Sequence, residues 1–368
     1  MFLKEISLRS FRNWEGEKVE FSPGLNLVTG KNAQGKTNLA EAVFFLCTGF
    51  SPFAGREKQI IAFTKDEAEI VGKAETAFGG VTVDIRLFSG KRKQIEINGT
   101  PVKKAGDLLG NVNAVFFNPD ELKMIKEAPA DRRRFLDVAI SQLRRPYFYE
   151  LLRYNKILEQ RGRLLKDPDE ELVKETLSVW DAQLADAGSY LAVCRKDFIE
   201  KLAPKAKEAH SILTDGEENL EISAETRFSS GTKEEIAAEF YEILRENYER
   251  DRRAGFTTSG PHRDDLKIEI NGNDVKTYCS QGQKRTSALS VKLAELEIMK
   301  DASGEYPLFI LDDVLSELDR GRQKRLVSML QGVQVFLTAT HAEDEVFAGL
   351  PRRQFFVSNG SATFSDLD

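Results

Sequence analysis

The sequence predicts an α/β fold whose two halves are separated by an inserted helical arm. Three features carry that prediction. A glycine-rich loop, Gly30 to Thr37, sits between a short apolar strand and a helix. A second apolar strand, Leu308 to Leu311, runs into Asp312 and Asp313 near the far end of the chain. Between the two, long stretches carry helical spacing. The expected division is therefore 1–127, a first α/β part; 128–252, the helical arm; and 253–368, a second α/β part.

The elements follow in order. Phe2 to Leu8 and Glu17 to Phe21 read as strands flanking Arg12-Asn13-Trp14-Glu15-Gly16, and Pro23-Gly24 turns the chain into strand Leu25 to Thr29. Thr37 to Leu46 is a helix with apolar Leu39, Ala42, Val43 and Leu46. Residues 68–102 are strand-like, broken at Gly79-Gly80 and Ser89-Gly90. Asn98-Gly99 marks a two-residue hairpin, because both turn positions need positive φ. The string Ile-Glu-Ile-Asn-Gly returns at 268–272 and predicts a second hairpin of that type. Asp131 to Lys166 and Glu170 to Ile212 are helical; Asp167-Pro168-Asp169 separates them, and Pro146 predicts a break in the first. Asn219 to Phe228 reads as a strand, Lys233 to Glu249 as a helix, and Phe256 to Ser259 and Leu266 to Ile270 as strands. Gln281 to Lys300 is a helix. Pro307 to Leu311 and Val333 to Thr338 are continuous apolar strands, as a sheet covered on both faces requires.

Composition excludes several classes. With 368 residues, 41% hydrophobic and 30% charged, the chain can bury a core in the manner of soluble globular proteins. It has no 18-residue apolar run and no apolar leader, so a cytoplasmic location without a membrane partner is expected. Cys47, Cys194 and Cys279 lie far apart and the three histidines do not cluster, which argues against a disulfide framework or a metal held by protein ligands alone. A net charge of −6 excludes indiscriminate coating of nucleic acid.

Gly30-Lys31-Asn32-Ala33-Gln34-Gly35-Lys36-Thr37 fits GxxxxGK[ST] at every fixed position, after a strand and opening a helix. Glycines let backbone N–H groups wrap a phosphate, and the helix N-terminus adds positive potential. Lys36 is placed to reach β- and γ-phosphates and Thr37 to ligate Mg²⁺. Asp312 is the expected metal-shell acid, and Asp313 the group that polarises water. The nearest string to a guanine-reading Asn-Lys-x-Asp, Thr64-Lys65-Asp66-Glu67, does not match it, which favours ATP. Ser280-Gln281-Gly282-Gln283 opens the later helix and forms a second anion-facing loop; taken alone it is an ordinary helix start.

Together with Ser316-Glu317-Leu318-Asp319, these motifs resemble the ABC-type ATPases. Ser10-Phe11-Arg12-Asn13, Arg132-Arg133-Arg134-Phe135-Leu136-Asp137, Gly260-Pro261-His262-Arg263-Asp264-Asp265-Leu266 and Asp312 to Asp319 narrow the likeness to the RecF family of SMC-like ATPases, from the first strand to about residue 341. The resemblance implies a two-lobed P-loop head with a mixed sheet and a helical arm, using ATP and Mg²⁺. It implies a homodimer when ATP is bound, slow DNA-stimulated hydrolysis, and sequence-independent double-stranded DNA binding. It further implies work with RecR and RecO at gaps or stalled forks to help load RecA. Carried over by residue, Ser280, Gly282 and Gln283 form the signature loop that acts on the partner's nucleotide, and Ser316 and Asp319 belong to the interface-crossing element. Arg12 and Asn13 lie where related heads contact nucleotide. Asn118 stands near the place of a γ-phosphate-sensing glutamine. Thr340-His341 resembles a switch histidine, although a surface histidine fits as well, and His262 reads as a structural hydrogen-bonder.

Local charge leaves room for DNA. Residues 131–166 carry ten Lys/Arg and four Asp/Glu, and residues 167–187 seven acids and one lysine. An antiparallel pairing neutralises both segments; otherwise Arg132, Arg133 and Arg134 begin a face that tracks phosphates. Lys91, Arg92, Lys93, Lys103 and Lys104 form a second basic cluster beside the Asn98-Gly99 hairpin. The alternative function is the ATPase subunit of another SMC-like DNA-processing nuclease complex.

Overall fold

The computed structural model describes residues 1–229, 231–340, 346–347 and 351–367. In chain order these form β1 (Phe2–Arg9), β2 (Glu17–Glu20), β3 (Leu25–Thr29), α1 (Lys36–Thr48), β4 (Glu67–Thr76), β5 (Gly79–Phe88), β6 (Gln94–Ile97), β7 (Thr100–Pro101) and β8 (Ala114–Phe117). Then come α2 (Lys123–Lys126), α3 (Pro129–Leu143), α4 (Arg145–Leu164), α5 (Glu170–Leu213), β9 (Leu220–Glu225), α6 (Lys233–Glu246) and α7 (Tyr248–Ala254). The remainder is β10 (Asp265–Ile270), β11 (Asn273–Asp274), α8 (Val275–Tyr278), α9 (Gln281–Ser303), β12 (Leu308–Asp312), α10 (Arg320–Ser328), β13 (Val335–Ala339), β14 (Arg352–Ser358) and β15 (Ser361–Leu367).

The chain divides into two compact units, one of 1–122, 205–219 and 280–368, the other of 123–204 and 220–279. The first is a two-sheet α/β head. One sheet, β2-β1-β4-β5-β6-β7, is antiparallel; the other, β15-β14-β3-β13-β12-β8, is parallel except for β15. Helix α1 touches β4 and β5 of the first sheet and β8, β12 and β13 of the second. That position explains why Leu39, Val43, Phe44, Phe45 and Leu46 are all buried rather than striped along one face. Burial of each contributes about 1.5–3 kcal/mol. All five residues of β12 are buried, as its unbroken apolar run requires. Phe21 closes the far side edge-on to Phe336, at 4.8 Å between ring centres.

The second unit holds α2 to α4, most of α5, α6 to α8 and the antiparallel sheet β11-β10-β9. Pro146 stands in the first turn of α4, so the expected break falls between α3 and α4. Arg161, fully buried, bonds Asp181 at 2.6 Å and Asp251 at 2.7 Å. Arg153 meets Asp186 at 2.9 Å, so Arg153 and Arg161 of the basic segment each pair with an acid of 167–187.

Several expectations need correction. The arm does not end at residue 252: residues 253–279 pack with it, and 205–219 pack with the head. The cause is the antiparallel pairing of β9 with β10 along six residues, a contact that periodicity does not reveal. Phe256 to Ser259 is not a strand. Its polar backbone is bonded by side chains instead: Thr258 N–H donates to Asp251, and the Thr257 carbonyl faces His262 Nε2 at 3.0 Å. The helix expected from Lys233 to Glu249 breaks at Asn247 into α6 and α7. Strand β8 and the hairpin β14–β15 are further strands that sequence reading does not supply. Both Asn-Gly hairpins form as expected, with φ of 51° and 73° at Asn98-Gly99 and 51° and 76° at Asn271-Gly272. No helix of the described residues is long and apolar enough to cross a membrane.

Candidate nucleotide site

Strands β3, β13 and β12 are parallel neighbours, so their C-terminal tips form one rim. The chain leaves β3 into the glycine loop. Gly30 takes φ 148°, and a Cβ there would stand 2.4 Å from the Val357 carbonyl oxygen; Gly35 takes φ 113° with Asn13 against it. Only glycine fits both positions. Helix α1 then starts without a side-chain cap or an acid in its first turn. Its leading N–H groups are thus left for an anion.

The predicted side chains converge on this rim. Asp312 Oδ1 accepts hydrogen bonds from Thr37 Oγ1 at 3.0 Å and Thr338 Oγ1 at 2.6 Å. Burial raises the Asp312 carboxyl from its usual range, against the lowering effect of the two hydroxyls. Lys36 Nζ donates to the carbonyls of Gly30 at 2.6 Å and Lys31 at 3.0 Å, inside its own loop. Burial lowers its pKa, and Asp313 and Asp312 oppose this. Asp313 is exposed, in the left-handed region at φ 54°, with its N–H held by Thr338 Oγ1 at 3.0 Å. Lys31, Asn32 and Ala33 face outward on the loop. These residues fit a nucleoside triphosphate with Mg²⁺: Thr37 and Asp312 would supply oxygens for the ion, and Lys36 and the loop amides would supply donors for phosphate.

Asn13 acts on the loop rather than beyond it. Its Nδ2 donates to the Gln34 carbonyl at 2.9 Å, and the neighbouring Trp14 Nε1 to the Gly35 carbonyl at 3.1 Å. Arg12 is taken up by the buried Glu41 through two bonds of 2.8 Å and by the Gln59 carbonyl at 2.6 Å. The structure therefore gives Arg12 a bracing role where a nucleotide contact was expected. Asn118 directly follows β8, the strand beside β12, and its Oδ1 accepts the Glu121 N–H at 3.0 Å. His341 lies outside the described residues.

The Ser-x-Gly-Gln segment forms a capping box on α9: Ser280 Oγ accepts Gln283 N–H at 3.2 Å, and Gln283 Oε1 accepts Ser280 N–H at 2.9 Å. Ser280 stays exposed, and a Cβ at Gly282 would meet nothing nearer than 3.7 Å. Gln283 Nε2 donates to Glu218 at 3.0 Å; Glu218 also holds His210 at 2.9 Å, and His210 meets Ser290 of α9 at 3.0 Å. Asp319 caps α10 through the Arg322 N–H, and Ser316 Oγ bonds the Asp313 carbonyl at 3.2 Å.

Sequence reasoning missed Thr338, Glu41, Glu218 and the Asn359-Gly360 turn, whose two N–H groups bond Gln34 at 2.9 and 3.0 Å. Thr338 had a signal, since it ends the second apolar strand as Asp312 ends the first. The others are fixed by contacts distant in sequence.

Among the predicted DNA residues, Lys91, Arg92, Lys103, Lys104 and Arg134 are exposed. Lys93 is instead drawn in by Glu57 at 2.6 Å and lies over the Phe45 ring. Arg132 is buried in a two-bond pair with Asp265, and Arg133 donates to the Asp264 carbonyl at 2.7 Å. Lys93 and Arg132 are corrected from phosphate contacts to structural ones; Arg133 is half-buried and keeps one bond, to a carbonyl.

A phosphate loop after β3 and an aspartate at the tip of β12, parallel strands with β13 between them, and a capped Ser-x-Gly-Gln helix start on the same head, define the class as an SMC-like ABC-type ATPase head. The RecF/RecN/SMC N terminal domain family matches residues 2–346. The chain belongs to the RecF family of DNA replication and repair proteins. It is 44% identical over 347 residues to the DNA replication and repair protein RecF of Alkaliphilus oremlandii, covering 93% of this chain and 94% of that protein. It is 40% identical over 344 residues to the RecF of Clostridium acetobutylicum, covering 94% of each. A solved structure of the recombination mediator protein RecF-ATPrS in the RecFOR pathway matches with a TM-score of 0.91 at 34% identity, over 100% of this chain and 98% of that one. The corresponding RecF-ATP structure gives 0.89 at 34% identity, with the same coverage. An Smc head bound to a winged-helix domain of ScpA, at 16% identity and TM-score 0.57, shares the fold.

Proposed function

We propose that this chain is an ATP-switched, sequence-independent binder of double-stranded DNA in recombinational repair, acting in the cytoplasm on the nucleoid. The carrying observation is the junction of Thr37, Asp312 and Thr338 beside Lys36 at one strand rim. Thr37 and Asp312 would hold Mg²⁺, which would neutralise charge on the triphosphate. Asp313, one residue on and exposed, takes a proton from water. Ser280, Gly282 and Gln283 serve the nucleotide of a second chain, and Ser316 and Asp319 lie in the element that crosses between the two. ATP then favours a homodimer because it binds the paired state better than the single chain. Slow, DNA-stimulated hydrolysis resets the switch. Duplex phosphates meet Lys91, Arg92, Lys103, Lys104 and Arg134. The RecFOR context of the RecF-ATP structure supports RecR and RecO as partners, at gaps or stalled forks where RecA is loaded.

The test is size-exclusion chromatography of the wild type and Ser280→Arg with ATP and with ADP. The wild type is expected as a dimer with ATP alone, and Ser280→Arg as a monomer with both nucleotides. A Ser280→Arg protein that dimerises normally on ATP removes the second-chain role of the loop.

A further inference from the structure

The nucleotide site does not absorb two of the sequence strings, Arg132–Asp137 and Gly260–Leu266. In the second unit they meet: Arg132 pairs with Asp265 at 2.7 Å, and Arg133 bonds the Asp264 carbonyl at 2.7 Å. Beside them opens a cavity of about 410 Å³, within the range of about 300–1,000 Å³ usual for ligand-holding clefts. Leu136, Ile199, Ile222, Phe228 and Ile236 make its walls apolar. Small side chains leave the space: Ala192 and Ala203 on α5, and Ser223 and Ala224 on β9. Strand β9 is the terminal strand of its antiparallel sheet, and Ser223, Ala224 and Glu225 on it are exposed. Three cations face the cavity. Arg195 is held by Asp137 at 2.8 Å, and Lys196 stands 3.8 Å from Glu200. Arg133 forms no ion pair with a carboxylate among the described residues; its hydrogen bond is to a carbonyl, and Asp265, Asp137 and Asp264 act on it only through space. Of the acids, Asp265 is held by Arg132, and Asp264 is bonded by Thr226.

We propose that this cavity docks an extended acidic–apolar peptide segment of a partner protein, laid along β9. Terminal strands accept added strands through backbone hydrogen bonds, and pockets for alternate side chains give selectivity. Side chains two apart on a strand share a face, so an apolar residue enters the cavity while an acid two positions away meets Arg133. The apolar walls offer nothing to a phosphate backbone, which separates this face from the exposed basic cluster on the head.

The experiment is fluorescence anisotropy on the full chain. The probe is a short fluorescein-labelled peptide in which Phe and Asp alternate, separated by Ser. Saturable binding is expected, weakened about tenfold or more by Arg133→Glu and by Ala203→Trp, which fills the cavity. Circular dichroism checks that Ala203→Trp is folded. Independently of that variant, a peptide with Lys in place of Asp should bind Arg133→Glu better than it binds the wild type. Absence of saturable binding, indifference to both substitutions, or failure of the charge swap overturns the proposal. So does displacement of the peptide by a duplex oligonucleotide, which assigns the face to nucleic acid.

Discussion

His262 shows how one side chain's surroundings fix its behaviour. Its Nδ1 meets Tyr154 Oη at 2.6 Å and its Nε2 the Thr257 carbonyl at 3.0 Å, so it serves as a neutral hydrogen-bonder between three segments of the arm. Burial pushes its pKa down to about 4. The unfolded chain binds a proton near pH 6.5 and the folded chain only near pH 4. Stability is therefore lost as pH falls through that window, by at most about 3 kcal/mol. Asp264, which burial raises to about 6, acts with the opposite sign: its contribution is full at low pH and is lost as pH rises through 6. Thermal unfolding of the wild type and His262→Gln between pH 7 and pH 4 separates the two effects. The variant is expected to lose less on acidification; parallel curves would refute the role of His262. Arg161 carries a larger burden, because it faces two buried carboxylates. Arg161→Ala should destabilise the chain by about 3–5 kcal/mol in denaturant unfolding, since it strands both charges. A loss below about 1 kcal/mol would show that water reaches the site.

Helix α9 joins local and functional demands at its first turn. The Ser280–Gln283 capping box is stabilising by itself, so Ser280→Ala is expected to cost about 1 kcal/mol whatever the loop does with nucleotide. Glu218 separates the two demands. It lies outside the box, yet it holds Gln283 to His210 and through it to Ser290. Glu218→Ala should leave nucleotide binding by the single chain intact and lower turnover about tenfold to a hundredfold, the scale expected for a displaced catalytic loop. Glu218→Gln, which can still accept the Gln283 bond, should retain more activity. Equal turnover in all three proteins would confine Glu218 to packing.

At the scale of the whole molecule, the proposed two-chain site makes activity depend on assembly. ATPase rate per chain should rise with protein concentration in the dilute range, and a flat rate contradicts a site shared between chains. Alanine at Lys91, Arg92, Lys103 and Lys104 should weaken duplex binding and flatten its logarithmic salt slope by about 0.9 for each phosphate no longer neutralised. Lys93 is left out of that set because Glu57 and Phe45 already engage it. The phosphate loop, the Asp312-Asp313 strand and the helical character of the arm were legible in sequence because each rests on local rules: glycine geometry, an unbroken apolar run, a 3.6-residue period. Tertiary structure alone decided the rest. It turned Arg12, Lys93 and Arg132 from expected ligand contacts into internal braces, because their partners Glu41, Glu57 and Asp265 lie 29 to 133 positions away. It also moved residues 253–279 into the arm through the pairing of β10 with β9. Sequence determines what a residue can do; which partner folding brings within about 3 Å determines whether it is still free to do it.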